Sequence, residues 1–181
     1  MSLYERVEAI SITFMHKHLY RLFANPNTML TSAGLKEGDK ILEVGFGPGF
    51  FTFPASEIVG EKGLIHAIEI NSIFVKKLQK KIDKLNKRNI VVKLENVTKT
   101  SLDNDTMDVA FFFGVFHNLT SVVDEVVSEM YRILKPGGLM TIQKSHKPLE
   151  KYLEKITAEG RFELLEEKKR MIIFRKKDIN I

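Results

Sequence analysis

One stretch constrains this chain more than any other: Lys40-Ile41-Leu42-Glu43-Val44-Gly45-Phe46-Gly47-Pro48-Gly49-Phe50, in which an apolar run ends in three alternating glycines. Ile41, Leu42 and Val44 follow the turn-forming Lys36-Glu37-Gly38-Asp39 and read as a strand over 40–45, buried on both faces. The glycines permit positive φ and let a ligand approach without meeting a Cβ. Residues 50–59 then read as a helix with Pro54 near its start, so its unpaired N–H groups and positive dipole end face the same turn. A polar or anionic ligand suits that place. A dinucleotide fingerprint requires G-x-G-x-x-G, but the glycines here fall at G-x-G-x-G and Phe50 stands at the third glycine position. Glu43, two residues before Gly45, is expected to reach the ligand.

The segments that follow alternate between the two periods of strand and helix. Leu64 to Ile70 reads as a second strand, with Glu69 near its end. At that position a carboxylate offers two acceptor oxygens to the hydroxyls of a ribose. Asn71 is placed to cap a helix over 72–86, with Phe74, Leu78, Ile82 and Leu85 on one face and Lys76, Lys77, Lys80, Lys81 and Lys84, followed by Lys87, on the others. Residues 90–94 form a third strand that leads into Asn96 and Val97, and 109–113 form a fourth after Asp108. The fourth ends at Phe113 and Gly114, before a loop carrying Phe116, His117 and Asn118. A helix over 120–134 has Ser121 and Asp124 at capping-box spacing and stops at Lys135-Pro136-Gly137-Gly138, ahead of a fifth strand over 139–143. A last helix over 148–158 and a hairpin of 162–165 with 171–174 complete the pattern. Alternating strands and helices imply an α/β fold in which ligands bind outside the carboxyl ends of the strands, so four strand ends converge on one rim.

Before the first strand, residues 4–23 carry apolar side chains near helical spacing, Asn25-Pro26-Asn27 interrupts, and 28–33 make one more short helix. Residues 1–35 are read as a helical lid belonging to the same domain as 36–181. Phe14, His18 and Tyr20 of the lid, with Phe116 and His146, are the candidate substrate-pocket residues, and packing is the alternative role for each.

The 181 residues suit one domain, and no apolar run approaches the roughly 18 residues of a membrane span. Met1 to Arg6 lacks the basic and apolar regions of a secretory signal, so a cytoplasmic location is expected. The absence of cysteine excludes disulfides, thiolate metal sites and cysteine nucleophiles, and no metal is expected from five scattered histidines. A net charge of +5 is a mild lean toward anionic partners.

Glycine turn, acidic second-strand end, Asn96, aspartate-led fourth strand and the run Tyr131-Arg132-Ile133-Leu134-Lys135-Pro136-Gly137-Gly138 together resemble the class I S-adenosylmethionine-dependent methyltransferases, in the small-molecule branch that includes ubiquinone biosynthesis. The resemblance spans about 36–177 and implies a Rossmann-like, doubly wound sheet of seven strands, mostly parallel, with one antiparallel C-terminal strand and helices on both faces. It implies S-adenosylmethionine as cofactor, held by Glu43, Val44, Gly45, Phe46, Gly47, Pro48, Gly49, Glu69, Ile70, Asn96, Val97, Phe113 and Gly114. Asn96 would bond the exocyclic amine of adenine. Glu43 stands where the family often has aspartate, and Phe46 where cysteine or alanine is common. Transfer from a sulfonium needs no protein nucleophile; His117 is the candidate base if the acceptor must lose a proton. A small-molecule acceptor is expected, since no Asn-Pro-Pro-Tyr type sequence follows strand four and the arsenic-methylating branch needs cysteine. The aromatic residues Tyr20, Phe23, Phe112, Phe113 and Phe116 suggest an apolar or ring-bearing one. An RNA-modifying or non-catalytic cofactor-binding protein, and less readily an NAD(P)-dependent oxidoreductase, are the alternatives. Oligomeric state stays open.

Overall fold

The computed structural model describes residues 25–144 and 150–178. Seven strands form one sheet in the order β3-β2-β1-β4-β5-β7-β6: β1 Lys40–Val44, β2 Leu64–Glu69, β3 Ile90–Leu94, β4 Met107–Phe112, β5 Leu134–Gln143, β6 Phe162–Glu167 and β7 Met171–Lys176. β7 enters antiparallel between β5 and β6, while β1 to β5 pair in parallel. The helices are α1 Pro26–Ser32, α2 Thr52–Val59, α3 Ser72–Leu85, α4 Val123–Ile133 and α5 Glu150–Thr157. Strand alternation divides the core. Ile41, Ile65, Val109 and Phe111 face α1, α2 and α3, whereas Leu42, Val44, Ala110 and Phe112 face α4 and α5.

Local chemistry refines several sequence expectations. Asn25 does more than interrupt a helix: its side chain accepts from Asn27 N and Thr28 N and Pro26 sits in the first turn, so the pair starts α1. α1 is packed into the core through Met29 and Leu30, and Thr141 Oγ1 donates to Ala33 O at 3.0 Å. Met29, Leu30, Ala33 and Leu35 are core residues, while residues 1–24 of the proposed lid lie outside the described residues. Asn71 caps α3 as expected, accepting from Ile73 N at 2.9 Å. The Ser121 and Asp124 capping box does not form. Thr120–Val122 is a 3-10 turn and α4 starts after it with Val122 at its N-cap. Lys135-Pro136-Gly137-Gly138 is an irregularity within β5, between the pairs Met107 with Leu134 and Val109 with Leu139. Gly137 has φ +77°, which lets the strand take in the extra residues and continue.

Candidate functional site

The carboxyl ends of β1 to β4 open into a cavity of about 540 Å³. Val44, Gly45 and Gly47 line it from the glycine turn, Glu69 and Ile70 from the end of β2, Asn96 and Val97 from the end of β3, and Phe113 and Gly114 from the end of β4. Nine residues expected from the sequence thus meet on one wall.

The turn is built from three glycines at φ +66°, +52° and +78°, which serve two different ends. A Cβ on Gly45 would lie 2.7 Å from Val115 Cγ2, and one on Gly49 would lie 2.8 Å from Leu78 Cδ1. Those two glycines make room for neighbouring protein, whereas a Cβ on Gly47 would meet nothing within 4 Å. Gly47 is therefore the position where the backbone stands open to a ligand. Its N–H donates to Glu69 Oε2 at 3.0 Å, and Glu69 Oε1 accepts from Ile70 N at 2.9 Å and Asn71 N at 3.0 Å. A carboxylate has about four acceptor sites, so Glu69 can take one further donor as it stands and a second if Gly47 N–H is released.

Asn96 is less free than the sequence suggests. Its Oδ1 accepts from Thr98 N at 3.0 Å and Thr98 Oγ1 at 3.1 Å, an Asx turn that occupies both lone pairs. What Asn96 offers the cavity is its NH₂, a donor. The stretch beyond it is pinned to α4: Glu129 Oε1 accepts from Thr100 N at 2.7 Å and Thr100 Oγ1 at 2.6 Å, and Arg132 Nε donates to Glu129 Oε2 at 2.9 Å.

Four expected ligand residues, Glu43, Phe46, Pro48 and Gly49, do not line the cavity; Glu43, Phe46 and Gly49 are buried and Pro48 is half-buried. Glu43 points into the α1–α3 face of the sheet and is only 2% exposed. Burial pushes its carboxyl up to about 8. The Thr52 hydroxyl offsets part of that, and the charge of Glu69 adds to it. Glu43 Oε2 and Thr52 Oγ1 nevertheless close no hydrogen bond, so the contact is electrostatic and loosely aligned. Phe46 is a core residue packed with α1 to α3.

The acceptor-side expectations fare differently. Phe116 is 2% exposed and packs edge-on against Phe112, with ring centroids 5.6 Å apart, so it belongs to the core. Phe112 is fully buried as well, so of the expected aromatic rim Phe113 alone lines the cavity among the described residues, where Phe74, read from the sequence as a helix-face residue, joins it. His117 sits on the 3-10 turn Phe116–Asn118 but is not a wall residue. The turn directs Asn118 and Leu119 to the cavity instead. Phe14, His18, Tyr20, Phe23 and His146 lie outside the described residues. Thr98, Leu119, Val122 and Glu125 also line the cavity without having been expected there, and Asn118 lines it from the loop expected on the rim. The signal available for Leu119, Val122 and Glu125 was their position beyond the fourth strand. Among the described residues no group of three or more metal-ligating side chains occurs.

The site's parts fit a nucleoside with an amino-acid tail: a carboxylate beside an open glycine backbone, and an apolar slot of Ile70, Val97, Leu119 and Val122 next to it. Comparison with known proteins agrees. A methyltransferase domain model matches residues 41–138. The chain is 33% identical over 122 residues to the ubiquinone/menaquinone biosynthesis C-methyltransferase UbiE of Haemophilus ducreyi, covering 65% of this chain and 45% of that protein. It is 31% identical over 137 residues to UbiE of Vibrio vulnificus, covering 74% and 51%. It therefore spans about half the length of the curated relatives it matches. Among solved structures, a SAM-dependent methyltransferase from Aquifex aeolicus superposes with TM-score 0.75 at 25% identity, covering 93% of this chain and 97% of that one. A SAM-dependent O-methyltransferase from Thermotoga maritima shares the fold with TM-score 0.68 at 18% identity, covering 86% and 66%. On the matched domain, the sheet order and the glycine-turn cavity, this chain belongs to the class I S-adenosylmethionine-dependent methyltransferases.

Proposed function

We propose that the protein transfers a methyl group from S-adenosylmethionine to a small-molecule acceptor by in-line displacement. The observation that carries this is the convergence of the ends of β1 to β4 on one cavity, with the Glu69 carboxylate bonded across it to Gly47 N–H. In this reading Gly45 and Gly47 carry the amino-acid end of the cofactor, Glu69 takes the ribose hydroxyls and the Val97 slot takes the base. When bound, the cofactor supplies a methyl already activated on a sulfonium. The chain aligns the acceptor, and holding the attacking atom about 3–3.5 Å from that carbon lowers the barrier through orientation. With His117 off the cavity wall, no described residue is assigned as a base.

The names of the relatives make a carbon atom the first acceptor to test. No helix among the described residues is long and apolar enough to cross a membrane, and a cytoplasmic location is part of the proposal. An RNA acceptor is the second reading, favoured by the exposed Lys76, Lys77, Lys80, Lys81 and Lys84 on α3. It predicts RNA binding that weakens steeply with salt. The primary test is calorimetry with S-adenosylhomocysteine followed by transfer of labelled methyl to a panel of small acceptors. Saturable binding and labelled product are expected; tight binding of NAD without a response to S-adenosylhomocysteine would overturn the proposal.

A further inference from the structure

The positive charge of the chain is concentrated on one element. Residues 72–88, α3 and the turn after it, carry Lys76, Lys77, Lys80, Lys81, Lys84, Lys87 and Arg88 against Asp83 alone, a net of +6 where the whole chain has +5. Asp83 is engaged by Gln79 at 2.8 Å, Lys87 pairs with Glu57 at 3.8 Å, and the Lys81 ammonium lies 4.2 Å from the Phe53 ring centroid. Lys76, Lys77, Lys80 and Lys84 are exposed and form no ion pair among the described residues. Spacings of three and four put them on adjoining lines along the outer side of the helix, opposite the buried Phe74, Leu78 and Ile82. α3 packs on β3, the edge strand of the sheet. That edge also bears the two most exposed large apolar side chains among the described residues, Ile70 at 74% and Leu94 at 55%. Ile70 lies two residues before α3 on the cavity rim, beside Asn71 and Phe74. Leu94 ends β3 in register with Glu69, and strand alternation from Ile90 and Val92 puts it on the α3 face of the sheet.

We propose that the edge formed by α3 and β3 docks on anionic lipid bilayers, with the four lysines on headgroup phosphates and Ile70 and Leu94 entering the interface. Ammonium groups on long stems suit a diffuse sheet of negative charge, and each adds to the attraction within a Debye length of the surface. Surfaces that read RNA rely on arginine forks and aromatic stacking platforms. Here six of the seven basic residues are lysine and the exposed apolar groups are aliphatic, which lipid accommodates and a phosphate backbone does not. Docked in this way, the chain turns the rim at Ile70 toward the bilayer, and an apolar acceptor reaches the cavity without crossing water.

The test is sedimentation of the full chain with vesicles of phosphatidylcholine, with and without phosphatidylglycerol, beside anisotropy with a fluorescent uridine oligonucleotide. Partition onto the phosphatidylglycerol vesicles should exceed that onto phosphatidylcholine by about tenfold or more and fall as salt rises. The variant Lys76→Gln/Lys77→Gln/Lys80→Gln/Lys84→Gln keeps good helix formers and should lose about twentyfold or more. Should it misfold, Lys77→Gln/Lys80→Gln makes the same comparison with a loss of about fivefold. Removing equal charge from other exposed positions, by Lys36→Gln/Lys155→Gln/Lys169→Gln/Lys177→Gln, should keep partition within about threefold of wild type. Leu94→Ser, off the cavity wall, should weaken vesicle binding about threefold and leave oligonucleotide binding unchanged. No preference for phosphatidylglycerol, equal losses in the two quadruple variants, an unchanged partition in Leu94→Ser, or a wild type that binds the oligonucleotide but not the vesicles would each overturn the proposal. Circular dichroism and affinity for S-adenosylhomocysteine should match wild type in these variants, which separates docking from folding and from the cofactor reading.

Discussion

Glu43 and Glu129 are both buried glutamates, one on each face of the sheet, and their surroundings push them in opposite directions. Glu43, under the glycine turn, is fully desolvated and has only a loosely aligned Thr52 hydroxyl beside it, so burial raises its carboxyl to about 8. Glu129 also pays desolvation, but hydrogen bonds from Arg132 and from Thr100 outweigh it and hold its carboxyl below the usual range. The comparison teaches that burial alone does not decide the charge of a carboxylate; the supply of donors does. It also separates two kinds of rim. The β3 side is fastened to α4 by a hydrogen-bond network, while beneath the β1 side lies a carboxyl raised by burial, one oxygen of which has no hydrogen-bond partner among the described residues.

The opposed shifts give opposed pH dependence, and this yields the largest expected effect. A carboxyl raised from 4.5 to about 8 keeps its proton in the fold after the unfolded chain has lost it. Its contribution to stability is therefore fully present below pH 4.5 and is lost as pH rises through 8. Glu43→Gln should flatten that limb, removing a loss on the order of 4 kcal/mol between pH 5 and pH 8 in urea unfolding. An identical slope in variant and wild type would show that Glu43 is ionised in the fold. Glu129 contributes in the other sense, with stability present above its ordinary value and lost as pH falls through the lowered one. Glu129→Ala should cost about 2–3 kcal/mol at pH 7, because it strands Thr100 N–H and the Arg132 guanidinium, and should also loosen the Asn96 stretch. A thermal melt within a degree of wild type would mean that the network contributes nothing.

The smallest effect sharpens the glycine side. Gly45→Ala combines left-handed backbone with a methyl 2.7 Å from Val115, and Gly47→Ala has the backbone strain alone. Gly45→Ala should cost about 2 kcal/mol and Gly47→Ala about 1 kcal/mol in stability. Ligand affinity should reverse the order, since Gly47 faces open space and Gly45 faces protein. Equal losses of S-adenosylhomocysteine affinity in the two variants would erase the distinction between them.

Much of the fold was legible locally. Ile41, Leu42 and Val44 before alternating glycines could be little other than a buried strand entering a turn, and Asn71 before Phe74, Leu78 and Ile82 could be little other than a capped amphipathic helix. The proline-glycine run was legible as an interruption, but its absorption into β5 depends on β4 continuing beside it. Among candidate ligands, residues placed by backbone direction at a strand end, such as Glu69, Asn96 and Gly114, reached the cavity. Those whose orientation depends on loop conformation did not follow: the 3-10 turn after β4 sends Phe116 into the core and leaves His117 off the wall.

Sequence by itself determined where backbone must turn and which faces must be buried, because positive φ and apolar period are properties of a few consecutive residues. Tertiary structure alone decided which polar groups find partners. Glu129 meets Thr100 across 29 residues and Gly47 meets Glu69 across 22, pairings created by strand order. That supply of partners is what commits the oxygen of Asn96 and, where it is lacking, lets burial raise the Glu43 carboxyl beneath the turn.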